Sequence, residues 1–473
     1  MSPARPALVL LRLYLLGFAT VLGAVAYWQL VRGDELAVHP RNRRYWRTIR
    51  SYQRGPILAA DGEQLAISQP VNASGPSRRR EYARRYPGGA AYSHVVGYTD
   101  QKIGEFGVEM ALNQVLLNLH AAPPLPRSLK AFLWQSLVPP ERRGDEVVLT
   151  IDSEVQETAV RELGQRRGAV VAIEVATGAV LALADWPGFD PNTVAEQWSQ
   201  LQRDEDHPLL ARAYQGRYPP GSVLKVFTAA AALQAGVVGE SDTFVCEGVK
   251  RYRHSTVYCH ERSGHGPLTF RQGLAKSCNI VFGEVALALG GSRFESTARA
   301  AWLADRPQLF YPGDDRLGLV GRGSLPAALP AEMLAASGYG QGEMLVTPLW
   351  VAMLGQMVGN GGRLLEPRVV KAIHPRTGSG YALRPEPGRV VVSPEAARVV
   401  LSMMGDVMRP GGTAAHLGVP GVRVAGKTGS AENPHGQAHS WFLALAPAEA
   451  PRVAVAVVVE NGGYGGRAAG PVA

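Results

Sequence analysis

The stretch PPGSVLK occupies residues 219–225 and leads directly into the apolar run VFTAAAAL, residues 226–233. Two prolines and a glycine interrupt any regular structure before them, and the run that follows is typical of a buried helix. Ser222 is therefore expected at the start of a helix, where the dipole and free N–H groups favour an oxygen. Lys225 lies on the same face, one turn later. A desolvated, neutral amine there can take the proton of the serine hydroxyl.

An ordinary helix-capping serine would occupy the same position, so the frequency of the motif matters. The chain of 473 residues has 24 serines and only seven lysines among its 49 basic residues. Chance alone predicts about 0.4 matches to S-x-x-K. One exists, and two further motifs follow it along the chain, Ser277-Cys278-Asn279 and Lys427-Thr428-Gly429-Ser430. The three together favour a catalytic interpretation over three unrelated structural roles.

In this order, the motifs and their surroundings resemble those of the class B penicillin-binding proteins, membrane-anchored D,D-transpeptidases of bacterial peptidoglycan. Other segments share the resemblance: RGPI at 54–57, DEVVLTID at 145–152, GAVVAI at 168–173 and FDPN at 189–192. The short stalk and the segment 427–447 are most similar to those of the smaller actinobacterial members. The middle motif has Cys278 where the family usually has aspartate, but Ser277 and Asn279 keep its first and third positions.

The resemblance implies a role for each motif residue. Ser222 would be the acylated nucleophile, Lys225 its base and Ser277 a proton relay, while Asn279 would hold the donor peptide. A substrate or penicillin carboxylate would be anchored by Lys427, Thr428 and Ser430. The N–H groups of Ser222 and Ser430 would form the oxyanion hole. Gly429, on an expected edge strand, would allow the substrate backbone to approach closely. No metal or organic cofactor is implied.

The expected fold class is α+β, with an antiparallel sheet and helices in the penicillin-binding/serine β-lactamase-like domain. Strands are predicted at 147–151, 169–173, 180–184, 441–445 and 453–460, and helices after Ser222 and around Ser277. Three segments are expected: a cytoplasmic tail and membrane anchor at 1–32, a small membrane-proximal stalk at 33–145 and the transpeptidase domain at 146–473.

The anchor is predicted from nineteen uncharged residues, 13–31, which at 1.5 Å per residue match roughly 30 Å of hydrocarbon. A cleaved signal peptide is the alternative, since Ala24-Val25-Ala26 is similar to a cleavage site.

The formal charge is +9, and twelve arginines against five acids place +7 of it between Arg32 and Arg85. This basic run favours a solvated or lipid-facing segment over nucleic-acid binding. Charge counting alone would place the bulk of the chain in the cytoplasm. The location of stem peptides favours the outer face of the plasma membrane instead.

The three cysteines are too few for a disulfide scaffold. Cys246 and Cys259 could form one disulfide, or all three could be free thiols. A zinc site with His254, His260 or His265 is a third possibility, although no ligand spacing is diagnostic.

The implied partners are peptidoglycan stem peptides, β-lactam antibiotics and a membrane-embedded glycan polymerase of the SEDS family, because the chain has no stretch for a glycosyltransferase domain between the span and the stalk. Two other functions stay open. A β-lactamase or D,D-carboxypeptidase would share the acylation residues and pass the ester to water. A penicillin sensor or regulatory scaffold would bind without cross-linking.

Overall fold

The computed structural model describes residues 4–32, 50, 52–71, 81–118, 143–252, 256–310, 318–326, 329–375, 380–434 and 436–473. Helix α1, Ala4–Ala26, continues into a π-helical turn, Tyr27–Val31. Within them, the 22 residues Leu8–Gln29 have a mean hydropathy of 2.1 and are not covered by the rest of the protein. The segment is long and apolar enough to cross a membrane, as the sequence predicts.

The segment after α1 contributes to a sheet shared with distant parts of the chain. Its strands are β1 (Ile57–Leu58), β2 (Gln64–Val71) and β3 (Glu81–Arg85). The others are β6 (Glu146–Leu149), β14 (Val370–His374) and β15 (Tyr381–Ala382), giving the order β15-β14-β6-β1-β2-β3. Strand β6 runs parallel to β1 and antiparallel to β14. The division at residue 145, which stays a prediction, therefore falls inside one continuous sheet.

A buried ion cluster holds this membrane-proximal region together. Glu109 is fully buried and receives hydrogen bonds from Arg54 Nε at 2.5 Å and Arg84 Nε at 2.6 Å. Burial alone would raise the pKa of Glu109, but the two guanidinium groups outweigh it and lower the pKa. The region also contains β4 (Tyr98–Asp100), β5 (Gly104–Phe106) and short helices α2 (Ser93–Val96), α3 (Gly107–Ala111) and α4 (Asn113–Leu116).

The C-terminal part of the chain is built on a second sheet, which has five antiparallel strands and an order along the sheet that differs from their order in the sequence. Its strands are β7 (Gly168–Glu174), β8 (Val180–Trp186), β17 (Ala425–Ala431), β18 (His439–Ala446) and β19 (Val453–Val459). This confirms the predicted strands at both ends of the domain. Alternation along β19 sends Ala454, Ala456 and Val458 to one face and Val457 and Val459 to the other.

Helices cover both faces of this sheet, and side-chain caps start several of them. On one face lie α12 (Pro348–Gly359), capped by Thr347, and α13 (Pro394–Val407), capped by Ser393. On the other lies α5 (Ser153–Leu163), capped by Asp152, with the short α14 (Gly465–Ala468) near the edge strand β17. Within the part of the chain that the structure describes, β17 has a strand neighbour on one side only, so its other edge can pair with an extended segment.

A helical region faces that free edge. It comprises α7 (Leu224–Gln234), α8 (Phe270–Ala275), α9 (Asn279–Leu289), α10 (Gly291–Ala300) and α11 (Ala331–Gly338), with α6 (Val194–Leu201) before it. A small lobe, residues 243–269, contains β9 (Thr243–Cys246), β10 (Val249–Arg251), β11 (Thr256–Tyr258) and β12 (Gly266–Thr269). Strands β13 (Arg363–Leu364) and β16 (Arg389–Val390) pair separately.

Candidate active site

Ser222 lies in a tight turn that packs against the edge strand. A 3-10 turn, Gly221–Val223, opens helix α7. Gly221 has φ +55°, and a Cβ there would lie 2.7 Å from the carbonyl oxygen of Ser430. Its N–H donates to the carbonyl of Gly340 at 3.0 Å. Only glycine allows this double backbone approach, which brings Ser222 beside Ser430.

Lys225 is fully buried beneath the serine. Its Nζ has four oxygen neighbours: Ser222 Oγ at 3.1 Å, Ser277 O at 2.6 Å, Ser277 Oγ at 3.2 Å and Asn279 Oδ1 at 2.7 Å. An ammonium offers three protons, and a neutral amine offers two protons and a lone pair, so either form can make three hydrogen bonds among these four oxygens. A neutral amine can donate to the carbonyl and the amide and accept from Ser222 O–H. Burial lowers the pKa of Lys225 to about 7, which makes the neutral form accessible.

Ser277 joins this amine to a second one. Its Oγ lies 3.2 Å from Lys225 Nζ and 2.8 Å from Lys427 Nζ, and its side chain is buried. The residue has φ +54°, an uncommon conformation for a non-glycine residue. Cys278 follows in an extended conformation without a side-chain capping bond, and Asn279 begins α9 with its side chain turned back to Lys225. One hydroxyl therefore bridges two lysines across the base of the cleft.

Lys427 is buried rather than displayed in the cleft. Its Nζ donates to Ser277 Oγ at 2.8 Å and to its neighbour's carbonyl, Thr428 O, at 2.9 Å. Burial, together with the charge of Lys225, lowers the pKa of Lys427 well below its ordinary value. Direct contact between Lys427 and a carboxylate, which the resemblance implies, stays a prediction.

Hydroxyl groups, rather than the Lys427 amine, line the opening of the cleft. The cleft measures about 500 Å³, and its lining includes Ser222, Ser277, Asn279, Thr428, Gly429 and Ser430. The structure thus brings all eight predicted site residues to one cleft or directly beneath it. Thr413 was missed from the sequence, although its Oγ1 lies 2.8 Å from Thr428 Oγ1. Its Gly411-Gly412-Thr413 turn, fourteen residues before Lys427, offered only an ordinary turn signal.

The cysteines do not form the disulfide that the sequence allowed. Cys246, Cys259 and Cys278 are all free and buried. Their sulfurs lie with His265 in one group whose potential ligand atoms are within 4.8 Å of one another. Among the described residues this is the set best suited to hold a metal, whereas His254 lies outside them.

Comparison with known proteins places this geometry in a family. Residues 168–473 match the penicillin binding protein transpeptidase domain, and residues 54–130 match the penicillin binding protein A dimerisation domain. The peptidoglycan D,D-transpeptidase PbpA of Mycolicibacterium smegmatis is 33% identical, covering 98% of this chain and 95% of the relative. The peptidoglycan D,D-transpeptidase MrdA of Escherichia coli K12 is 28% identical, covering 81% of this chain and 69% of its own length. The ceftriaxone acyl-enzyme complex of penicillin-binding protein A from M. tuberculosis superposes with a TM-score of 0.77 at 29% identity, covering 89% of this chain and 97% of that one.

We expect Gly221→Ala to destabilise the protein more than Gly236→Ala. Both glycines have positive φ, +55° and +65°, but a Cβ at Gly236 meets nothing within 4 Å. Gly236→Ala should therefore cost only the conformational penalty, roughly 1 kcal/mol, whereas Gly221→Ala adds a steric clash for a total of roughly 2–4 kcal/mol. Thermal unfolding of the two variants measures the difference. Equal shifts in Tm would show that the turn does not depend on the close approach to Ser430.

Proposed function

The chain belongs to the penicillin-binding protein transpeptidase family, and we propose that it is a peptidoglycan D,D-transpeptidase that works through an acyl-enzyme on Ser222. The observation that carries the proposal is the 3.1 Å contact between Lys225 Nζ and Ser222 Oγ. It lies within a network that encloses the fully buried amine among four uncharged oxygens, and burial lowers the pKa of Lys225 to about 7. Such an amine is suited to act as a general base.

In the proposed acylation, Lys225 accepts the Ser222 proton while Oγ attacks the carbonyl of the penultimate D-Ala of a stem peptide. The C–N bond to the terminal D-Ala then breaks. Its leaving amine receives a proton through Ser277, whose hydroxyl lies 3.2 Å from Lys225 Nζ. In the second step, the amine of a neighbouring stem attacks the ester, a new amide bond forms and Ser222 Oγ recovers a proton. The sum is an exchange of one amide for another, which needs no oxidant or external energy source.

The donor peptide is proposed to lie along the free edge of β17. Backbone N–H and C=O groups on such an edge can pair with an extended peptide. The missing side chain at Gly429 serves internal packing instead, because a Cβ there would lie 3.0 Å from side-chain atoms of Val223 and Trp441. Thr413, Thr428 and Ser430 would donate hydroxyl hydrogens to the terminal carboxylate. Lys427 would act from beneath through its contact with Ser277, and Asn279 would hold the peptide amide.

Mass spectrometry after treatment with penicillin tests both the identity of the nucleophile and the lifetime of the ester that it forms. We expect one adduct, located on the peptide that contains Ser222, absent in Ser222→Ala and retained in the surface control Ser296→Ala. A long-lived adduct, with D-Ala exchange between two stem peptides, supports the transpeptidase. Rapid loss of the adduct to penicilloate, with water as the only acceptor of the stem peptide, would identify a hydrolase instead. Acylation without either reaction would identify a sensor.

The rate of penicillin acylation should rise with pH through an inflection near 7. The pKa of Lys225 is lowered to about 7 by burial, and only the unprotonated amine can accept the serine proton. Well below that pKa, the rate should fall about tenfold per pH unit. Lys225→Arg should remove the reaction because a guanidinium stays protonated, whereas Lys371→Arg, at an exposed position, should retain both rate and inflection. A pH-independent rate between 5 and 9 would contradict the assignment of Lys225 as the base.

The catalytic domain is proposed to lie on the outer face of the plasma membrane, anchored by α1. The support is chemical, because stem peptides are cross-linked outside the cytoplasm and the helix is long enough to span. Protease added to intact cells should digest the domain, while a cytoplasmic marker stays intact. Full protection of the domain would instead agree with the arginine count after the span. A SEDS-family polymerase as the membrane partner stays a prediction of the family resemblance.

A further inference from the structure

All three cysteines of the chain meet in the small lobe behind the middle motif. Cys246 ends β9 and Cys259 follows β11, while Cys278 directly precedes α9 and His265 directly precedes β12. Their ligand atoms lie within 4.8 Å of one another, although the residues are spread over 33 positions of sequence. The three cysteines are buried and His265 is half-buried. We propose that these four side chains bind one structural Zn²⁺ ion, a Cys₃His site that clamps the Ser277-Cys278-Asn279 motif.

The distances fit shared metal ligands better than a disulfide. Cys259 Sγ lies 3.9 Å from Cys278 Sγ and 3.5 Å from His265 Nδ1. Tetrahedral zinc with its usual bond lengths places two sulfurs about 3.8 Å apart and a sulfur and a nitrogen about 3.6 Å apart. A disulfide would require about 2.05 Å between the sulfurs. Four protein ligands complete the tetrahedron and leave no open position for water, so the site is structural rather than catalytic.

The lobe is also built to present these ligands. Gly248 and Gly264 have φ of +86° and +81°, and a Cβ on either would lie 2.2 Å or less from a carbonyl of the opposite turn. The Cys259 N–H donates to the Gly248 carbonyl at 2.9 Å. Backbone N–H groups of Glu261 and Asn279 point to the Cys259 sulfur, as outer contacts do around metal thiolates. Two interlocked turns therefore hold the sulfurs together.

The lobe has little else to stabilise it. Among its described residues, 243–252 and 256–269, the buried hydrophobic side chains are Cys246, Val257, Cys259 and Leu268. Its strands are only three or four residues long, and Val245, Val249 and Tyr258 are exposed. A unit this small with so little core usually needs a metal or a disulfide. Two of its four buried hydrophobic side chains are the proposed zinc ligands themselves.

The ion would act on catalysis through the backbone. Cys278 lies between Ser277 and Asn279, which supply three of the four oxygen contacts to Lys225 Nζ. The left-handed conformation of Ser277 must be maintained by its surroundings. Ligation of Cys278 would fix the backbone of the next residue, Asn279, whose N–H also points to the Cys259 sulfur. The sequence resemblance alone implied no metal at this position.

The test measures metal directly on the full chain, purified in detergent under reducing, chelator-free conditions. We expect about one zinc per chain by elemental analysis, and less than about 0.2 in Cys246→Ser and His265→Gln. His260→Gln is the matched control, because its ring lies 5.3 Å from that of His265 but is not in the ligand set. It should retain about one zinc. Cobalt exchanged into wild type should give the intense visible and thiolate charge-transfer bands of a tetrahedral site.

Three results would each overturn the proposal. The first is wild-type protein that contains no metal, and the second is a thiol count on the unreduced, denatured chain that finds two thiols missing. The third is His265→Gln protein with full zinc content and unchanged cobalt bands. Since the Cys246→Ser variant could misfold, wild-type protein stripped by a chelator provides a second measurement. Its penicillin acylation should fall about tenfold and return with added zinc. Ser222→Ala should keep its zinc. Failure of the transpeptidase assignment would therefore leave the metal content unchanged, and failure of the metal proposal would leave Ser222 acylation intact.

Discussion

The removal of Lys225 from water is the constraint on which the rest of the site depends. An amine in water holds its proton far above neutral pH, and only the loss of hydration makes it available as a base. The protein accomplishes this by enclosing Nζ among oxygens that accept its hydrogens without supplying a negative charge. The arginine-rich composition underlines the point, because none of the many guanidinium groups can release a proton in this way. A lysine in this place is a chemical requirement.

The second buried amine is held by the same arrangement. Lys427 comes from the sheet and Lys225 from the helical region, and the hydroxyl of Ser277 lies between them. Two like charges so close and so far from water would repel each other strongly, which disfavours simultaneous protonation. One proton can therefore be shared between the two amines through Ser277 with only small movements of the side chains. A transfer through Ser277 needs no large movement of the backbone.

Local sequence patterns were sufficient to predict the strands of the central sheet and the residues of the three motifs. The β7–β8 hairpin and the β18–β19 pair have short connections and continuous apolar runs, so each could be predicted from its own sequence. The motif residues could be predicted because S-x-x-K is rare in a chain with so few lysines. Thr413 carries no such pattern, and its importance comes from a contact with Thr428 made only in the folded state. The ion cluster of Arg54, Arg84 and Glu109 is equally non-local.

The cysteines show the same limit in a different form. Sequence spacing left three arrangements open: a disulfide between Cys246 and Cys259 across a short loop, free thiols, or a zinc site with nearby histidines. The fold adds Cys278 from a helix start and His265 from a neighbouring turn, and the grouping changes from two residues to four. The position of Cys278 within the middle motif, which reads as a tolerated substitution in the sequence, becomes the link between the lobe and the catalytic groups.

The six-stranded sheet has a mechanical consequence. Strand β1 follows the anchor, β6 opens the catalytic domain and β14 returns from its far side, and all three are joined edge to edge by backbone hydrogen bonds. A swivel between the two regions would have to break those bonds, at about 1 kcal/mol for each. A force that reaches β1 is therefore transmitted through these hydrogen bonds to β6 and β14, so that the three strands move as one rigid body instead of bending at a flexible joint.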